Sequence, residues 1–128
     1  MAASTSLHEP AEYLTARTID LHRAVVSLIE ELEAVDWYNQ RAEAAKDPQL
    51  QAVIKHNRDE EIEHASMTLE WIRRNVPKFD EALKLYLFTS GEITAIEENV
   101  KEGETKKEPS GKPEARSLRL TIGDMKGN

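Results

Sequence analysis

The chain contains no cysteine, which removes disulfides, thiolate zinc sites and iron–sulfur ligation from its chemistry. Carboxylates and four histidines remain as side chains able to hold a metal, so any metal is expected in harder, oxygen-rich coordination. Glycine and proline are scarce, five of each in 128 residues, which argues against a fibrous or disordered chain. No run of about 18 apolar residues exists, so no membrane span is expected. The opening MAASTSLHEPAEY has neither a basic start nor an apolar stretch, and a cytosolic protein without a secretory signal is expected. Basic charge is also short: 17 Lys and Arg against 24 Asp and Glu give a net charge of −7, unfavourable for nucleic acid and favourable for cations. What is present, 39% apolar and 32% charged residues, suits one small all-α domain with a tail.

A first helix is expected from about Glu9 to Ala45, a stretch rich in Ala, Leu, Glu and Arg with no Gly or Pro after Pro10. Leu14, Leu21, Val25, Leu28, Leu32 and Val35 recur at steps of about three and four, with Thr18 in the remaining position, which makes a coiled-coil-like seam. KDPQL stops this helix. Asp47 is a good N-cap and Pro48 suits a first helical position, so a second helix runs from there to about Asn75 and folds back as an antiparallel hairpin. After the break at NVPKF, the segment KFDEALKLYLFTSG reads as a short third helix closed by Gly91.

On the second helix Leu50, Val53, Ile54, Trp71 and Ile72 form an apolar stripe, and Glu61 and His64 project from its middle beside Asn57 and Thr68. Asp59, Glu63 and Glu70 fall on the opposite face. A carboxylate removed from water without a partner costs several kcal/mol, so Glu61 needs a cation, a proton or a metal. Glu-x-x-His places both side chains on one face and is the unit of di-iron carboxylate sites in helical bundles, which require two such pairs and two further glutamates. Glu31, beside Leu28 and Val35, is the candidate further glutamate, whereas Glu30 and Glu33 turn away from the seam. One chain thus offers half of a complete set, and a four-helix bundle made by dimerisation would supply the other half. The bland readings are an exposed ion pair for Glu-x-x-His, a solvated face for EELE, interface aromatics for Trp37 and Tyr38, and a structural His56.

The run HRAVVSLIEELEAVDWYNQRAEAAKDPQLQAVIKHNRDEEIEHASMTLEWIRR resembles the encapsulated ferritins, ferritin-like cargo proteins of encapsulin nanocompartments. The resemblance spans roughly residues 8 to 97 and rests on the lone glutamate, the WY pair, HNRDEE and Glu-x-x-His in that order. It implies that Glu31, Glu61 and His64 are ferroxidase ligands for an Fe(II)/Fe(III) di-iron centre shared between two subunits. It further implies a metal entry or transit site at Glu30 and Glu33, Trp37 near the iron with Tyr38 beside it, and dimers assembling into a homodecamer. The implied function is oxidation of Fe(II) and delivery of iron for mineral storage inside an encapsulin shell.

The chain is expected to divide into a helical domain over 1–98, a flexible linker over 99–116 where apolar residues almost vanish, and a terminal peptide over 117–128. In SLRLTIGDMKG, Leu118, Leu120 and Ile122 alternate with polar residues, as in an extended segment laying one face into a groove. With Thr121 and Gly123 the segment resembles the encapsulin cargo-loading peptide, which implies an encapsulin shell protein as partner. The alternatives are a manganese catalase or rubrerythrin-like peroxidase, a non-catalytic helical adaptor, and a metal buffer without turnover.

Overall fold

The computed structural model describes residues 5–106. A 3-10 turn over Ala11–Tyr13 precedes α1 (Ala16–Ala44), α2 (Pro48–Asn75), α3 (Pro77–Tyr86) and α4 (Ile93–Lys106), and there is no strand among the described residues. None of these helices is long and apolar enough to cross a membrane.

α1 begins later than its composition suggests. Pro10 opens the 3-10 turn, Leu14 and Thr15 are extended, and the Thr15 hydroxyl accepts the Thr18 N–H at 3.1 Å as the N-cap. A capping side chain plus extended backbone is a better start than a helix carried back through Pro10. α2 starts as read: Asp47 accepts the Leu50 N–H at 2.8 Å, Pro48 occupies the first turn, and the helix ends at Asn75. Residues 45–47 alone join the two helices. Gln51 closes this turn from inside, donating to the Ala42 carbonyl at 2.6 Å and to the Ala45 carbonyl at 3.4 Å, two carbonyls left over at the end of α1. Arg58 on α2 donates to Asn39 on α1 at 3.0 Å.

The described residues divide into two units between Lys84 and Leu85. In the first, α1 and α2 form the antiparallel hairpin, whose buried apolar residues are Ala42, Ala65 and Ile72. The seam residues Leu14, Leu21, Val25, Leu28 and Val35 are half-buried. Leu32 is 54% exposed, Val53 52%, Met67 63% and Trp71 41%, so much of the apolar surface lies outside this thin core. The start of α3 is tied to the end of α2 by charge. Arg73 pairs with Glu70 at 2.8 Å and with Asp80 across the bend at Val76, and Lys84 reaches Asp80 at 3.1 Å. The Arg73 and Arg74 guanidiniums hold the Glu70 carboxyl down at about 2, and Lys84 followed by Arg73 keeps Asp80 below its ordinary range.

In the second unit α3 stops at Tyr86 rather than running on to Gly91. Phe88, fully exposed, takes the left-handed conformation at φ +62°, a position that glycine or asparagine usually fills. Gly91 is also left-handed, at φ +89°. α4, which the sequence reading did not separate as an element, runs through the boundary drawn at 98/99 and continues helix to Lys106. The remainder of the expected linker, and the whole of 117–128, lie outside the described residues.

Candidate metal centre

Glu31 comes from the middle of α1 and Glu61 and His64 from the middle of α2, so the hairpin itself brings them together. One ligand atom from each lies within 4.8 Å of the other two, and this is the only such group of three or more among the described residues. His64 Nδ1 is 3.4 Å from Glu61 Oε1 and 3.6 Å from Glu31 Oε1. All three side chains are partly buried: 26% of Glu31, 25% of Glu61 and 43% of His64 stay exposed. The periodic placement of Glu61 and His64 on the inner stripe therefore corresponds to real convergence with Glu31.

The electrostatics of the group show what it lacks. A hydrogen bond with Glu61, reinforced by desolvation and by the Glu61 charge, holds Glu31 above the ordinary carboxylate range. The same hydrogen bond, with help from His64 and against desolvation, holds Glu61 below that range. The opposite directions belong to the pair as a unit: two carboxylates this close do not both ionise in the ordinary range. Two carboxylates and an imidazole nitrogen converging in this way suit a divalent transition metal such as iron, whose charge would offset the repulsion between the carboxylates. They are one half of the ligand set that a two-metal bundle site uses.

The other residues singled out in the sequence lie on the same two helices. Glu30 and Glu33 are exposed on α1, and of the two Glu30 acts on the group, its charge helping to raise Glu31. Trp37 is half exposed. Tyr38 is half-buried, with the Arg41 guanidinium 5.6 Å from its ring centre. The Thr68 hydroxyl donates to the His64 carbonyl at 3.0 Å. One turn away, Asp20, Arg23, Ala24, Ser27, Met67, Thr68 and Trp71 line an open groove between the helices. One neighbour was not singled out: Glu60 Oε1 lies 3.9 Å from His64 Nε2, and its Oε2 lies 3.7 Å from His56 Nε2. The i, i+4, i+8 spacing of His56, Glu60 and His64 carried that signal.

Comparison with known proteins agrees with this geometry. The EncFtn-like family model matches residues 6–90. An encapsulated ferritin-like protein of Rhodospirillum rubrum is 53% identical over 131 residues, covering 98% of this chain and 91% of the relative. The encapsulin nanocompartment cargo protein EncC of Myxococcus xanthus is 34% identical over 114 residues, covering 84% of this chain and 85% of the relative. Among solved structures, protein ne0167 from Nitrosomonas europaea superposes with a TM-score of 0.67 at 59% identity, covering 69% of this chain and 97% of that one. The helical hairpin, the ligand group at its centre and a match running nearly end to end with a named relative lead to one conclusion: the chain belongs to the EncFtn-like family of encapsulated ferritin-like proteins.

Proposed function

We propose that the protein is a ferroxidase that oxidises Fe(II) to Fe(III) at a two-iron centre shared by two copies of the chain and releases the product for mineral storage inside an encapsulin shell. The observation that carries this reading is the convergence of Glu31, Glu61 and His64. Two carboxylates bring two negative charges to a site that a single imidazole completes, and such oxygen-rich, anionic donors favour the ferric over the ferrous ion. Each iron gives up one electron. A pair of irons therefore supplies the two electrons that reduce dioxygen to hydrogen peroxide with uptake of two protons, or peroxide to water.

The sharing of the centre is supported by counting and by surface. One chain supplies one glutamate and one Glu-x-x-His, half of a two-iron set, and a two-fold axis through the site would supply the rest. The exposed Val53, Met67 and Trp71 flank the site on α2, where a second hairpin would cover them. Leu32 and Ile62, also exposed, lie about 100° round their helices from Glu31 and Glu61, and apolar surface on two sides suits a ring such as a decamer better than a closed pair. Glu30 and Glu33 are proposed as the acidic approach to the centre, with Trp37 and Tyr38 packed beside it. A hairpin cannot enclose a mineral, and the names of the Rhodospirillum and Myxococcus relatives support a shell as the container. Docking to that shell is assigned to Leu118, Leu120, Thr121, Ile122 and Gly123.

Anaerobic Fe(II) titration with native mass spectrometry, followed by admission of oxygen, tests the reading. Saturation at two irons per two chains and fast oxidation lost in Glu61→Ala are expected; absence of saturable binding, or oxidation no faster than in buffer, would refute it. Removal of residues 117–128 is expected to leave oxidation intact and abolish co-purification with the shell.

A further inference from the structure

With no cysteine in the chain, methionine supplies all of its sulfur, and among the described residues that sulfur is Met67 alone. A thioether is open to oxidation wherever solvent reaches it. Met67 is 63% exposed, more than any other large apolar side chain on α1 or α2. It follows His64 by three residues on α2, about 4.5 Å along the helix axis from a metal ligand. Together with Trp71 it lines two open grooves, one reaching Arg23 and Thr68, the other Glu70 and Arg74.

In the shared-centre reading a second hairpin covers Met67 and Trp71. An unbranched thioether suits such a contact, because it adapts its shape to the surface it meets. A sulfoxide does not: it is polar, and burying it without a hydrogen-bond partner carries the penalty of an unmatched polar group. The chemistry proposed for the centre also brings the oxidant close, since two electrons from two irons turn dioxygen into hydrogen peroxide beside this same helix. When peroxide meets the thioether, its O–O bond breaks and one oxygen bonds to sulfur. The other oxygen leaves as water with both protons, and the two electrons it takes come from the sulfur.

We propose that Met67 is an oxidation site: hydrogen peroxide converts its exposed thioether to the sulfoxide, and a chain so oxidised no longer pairs with a second copy across the two-iron centre. The single chain is the vulnerable form, and pairing covers the sulfur. This rests on the shared-centre reading for the effect on pairing, but not for the oxidation itself.

The test uses the full-length protein with Met67→Leu, which stays apolar and cannot be oxidised, and Met67→Gln, which is polar from the start. Each is treated with hydrogen peroxide in chelator, and peroxide and chelator are then removed. Peptide mass mapping reads the oxygen gained at residue 67, and native mass spectrometry across a dilution series with anaerobic Fe(II) reads pairing. The treated wild type is expected to carry the sulfoxide at Met67 and to pair roughly 10- to 100-fold more weakly. Met67→Leu should pair as the untreated wild type does, with or without peroxide, and Met67→Gln should pair weakly without any. Met67 left unoxidised overturns the proposal, and so does a sulfoxide at Met67 with pairing unchanged. Loss of pairing in treated Met67→Leu also overturns it, because the damage would then lie elsewhere. An untreated wild type that never pairs with Fe(II) would instead sink the shared centre and the effect on pairing with it, while the mapped mass still decides whether Met67 is oxidised.

Discussion

Replacing Glu31 by glutamine separates what the ligand group does for stability from what it does for metal. The ligand atoms of Glu31 and Glu61 lie within 4.8 Å, and at that distance two full charges repel by about 3.5 kcal/mol in an effective dielectric of about 20. Both side chains are about a quarter exposed, so screening brings the cost down to the order of 1 kcal/mol. The Glu61 hydrogen bond, together with this repulsion, raises the pKa of Glu31, and that direction fixes the sign of the pH effect. The stability it contributes is present below the ordinary glutamate pKa and is lost as pH rises through the raised value in the folded protein. A glutamine at 31 carries no charge at any pH, yet its amide still donates to Glu61. In chelator, Glu31→Gln is therefore expected to match the wild type near pH 4, below the ordinary glutamate pKa, and to melt roughly 4–8 °C higher near pH 8. Added Fe(II), under anaerobic conditions, should raise the melting temperature of the wild type and not of the variant. Calorimetry at one fixed protein concentration reads both effects. A variant less stable than the wild type at pH 8 without metal, or one stabilised by iron as strongly, would refute the repulsion or the ligand role respectively.

Two further substitutions probe the frame that holds the site. Gln51→Ala removes both side-chain bonds to the end of α1 and should lower stability by about 1–2 kcal/mol; an unchanged melting temperature would show that the turn needs no such brace. Phe88→Gly relieves a left-handed backbone that costs an L-residue about 1–2 kcal/mol, so amide exchange in the last turn of α3 should slow. Faster exchange would mean that the ring is held by a contact worth more than the strain.

The hairpin was readable because its signals are local and agree with one another. Asp47 caps, Pro48 starts, and three-and-four spacing places Glu61 and His64 on the inner face of the same helix. Glu31 was harder, since EELE offers three candidate glutamates, and the seam alone separated it from Glu30 and Glu33. Three features escaped. The start of α1 at Ala16 depended on Thr15 accepting a hydrogen bond, which outweighs good helical composition before it. The last part of α4 has the charged, glycine-containing composition of a linker, but an i, i+4 pair such as Glu97 and Lys101, 3.7 Å apart, also suits an exposed helix. Glu60 was passed over because a wheel that sorts residues into inside and outside has no category for a side chain at the edge that reaches back to a ligand.

The three residues between α1 and α2 also have a kinetic meaning. A helix pair joined so tightly is built from contacts near in sequence, the topology that folds on the microsecond-to-millisecond scale. Loops of about ten residues close in roughly 10–100 ns, so the turn itself sets no delay. Encounter with another chain is second order: at about 1 μM and a typical association constant of 10⁵–10⁷ M⁻¹s⁻¹, it takes on the order of 0.1–10 s. Time thus orders the steps that space leaves simultaneous. Because all three residues lie in one hairpin, a newly made chain can bring Glu31, Glu61 and His64 together before it meets any partner, and a metal ion arriving in that interval would meet three donors already supplied by one chain.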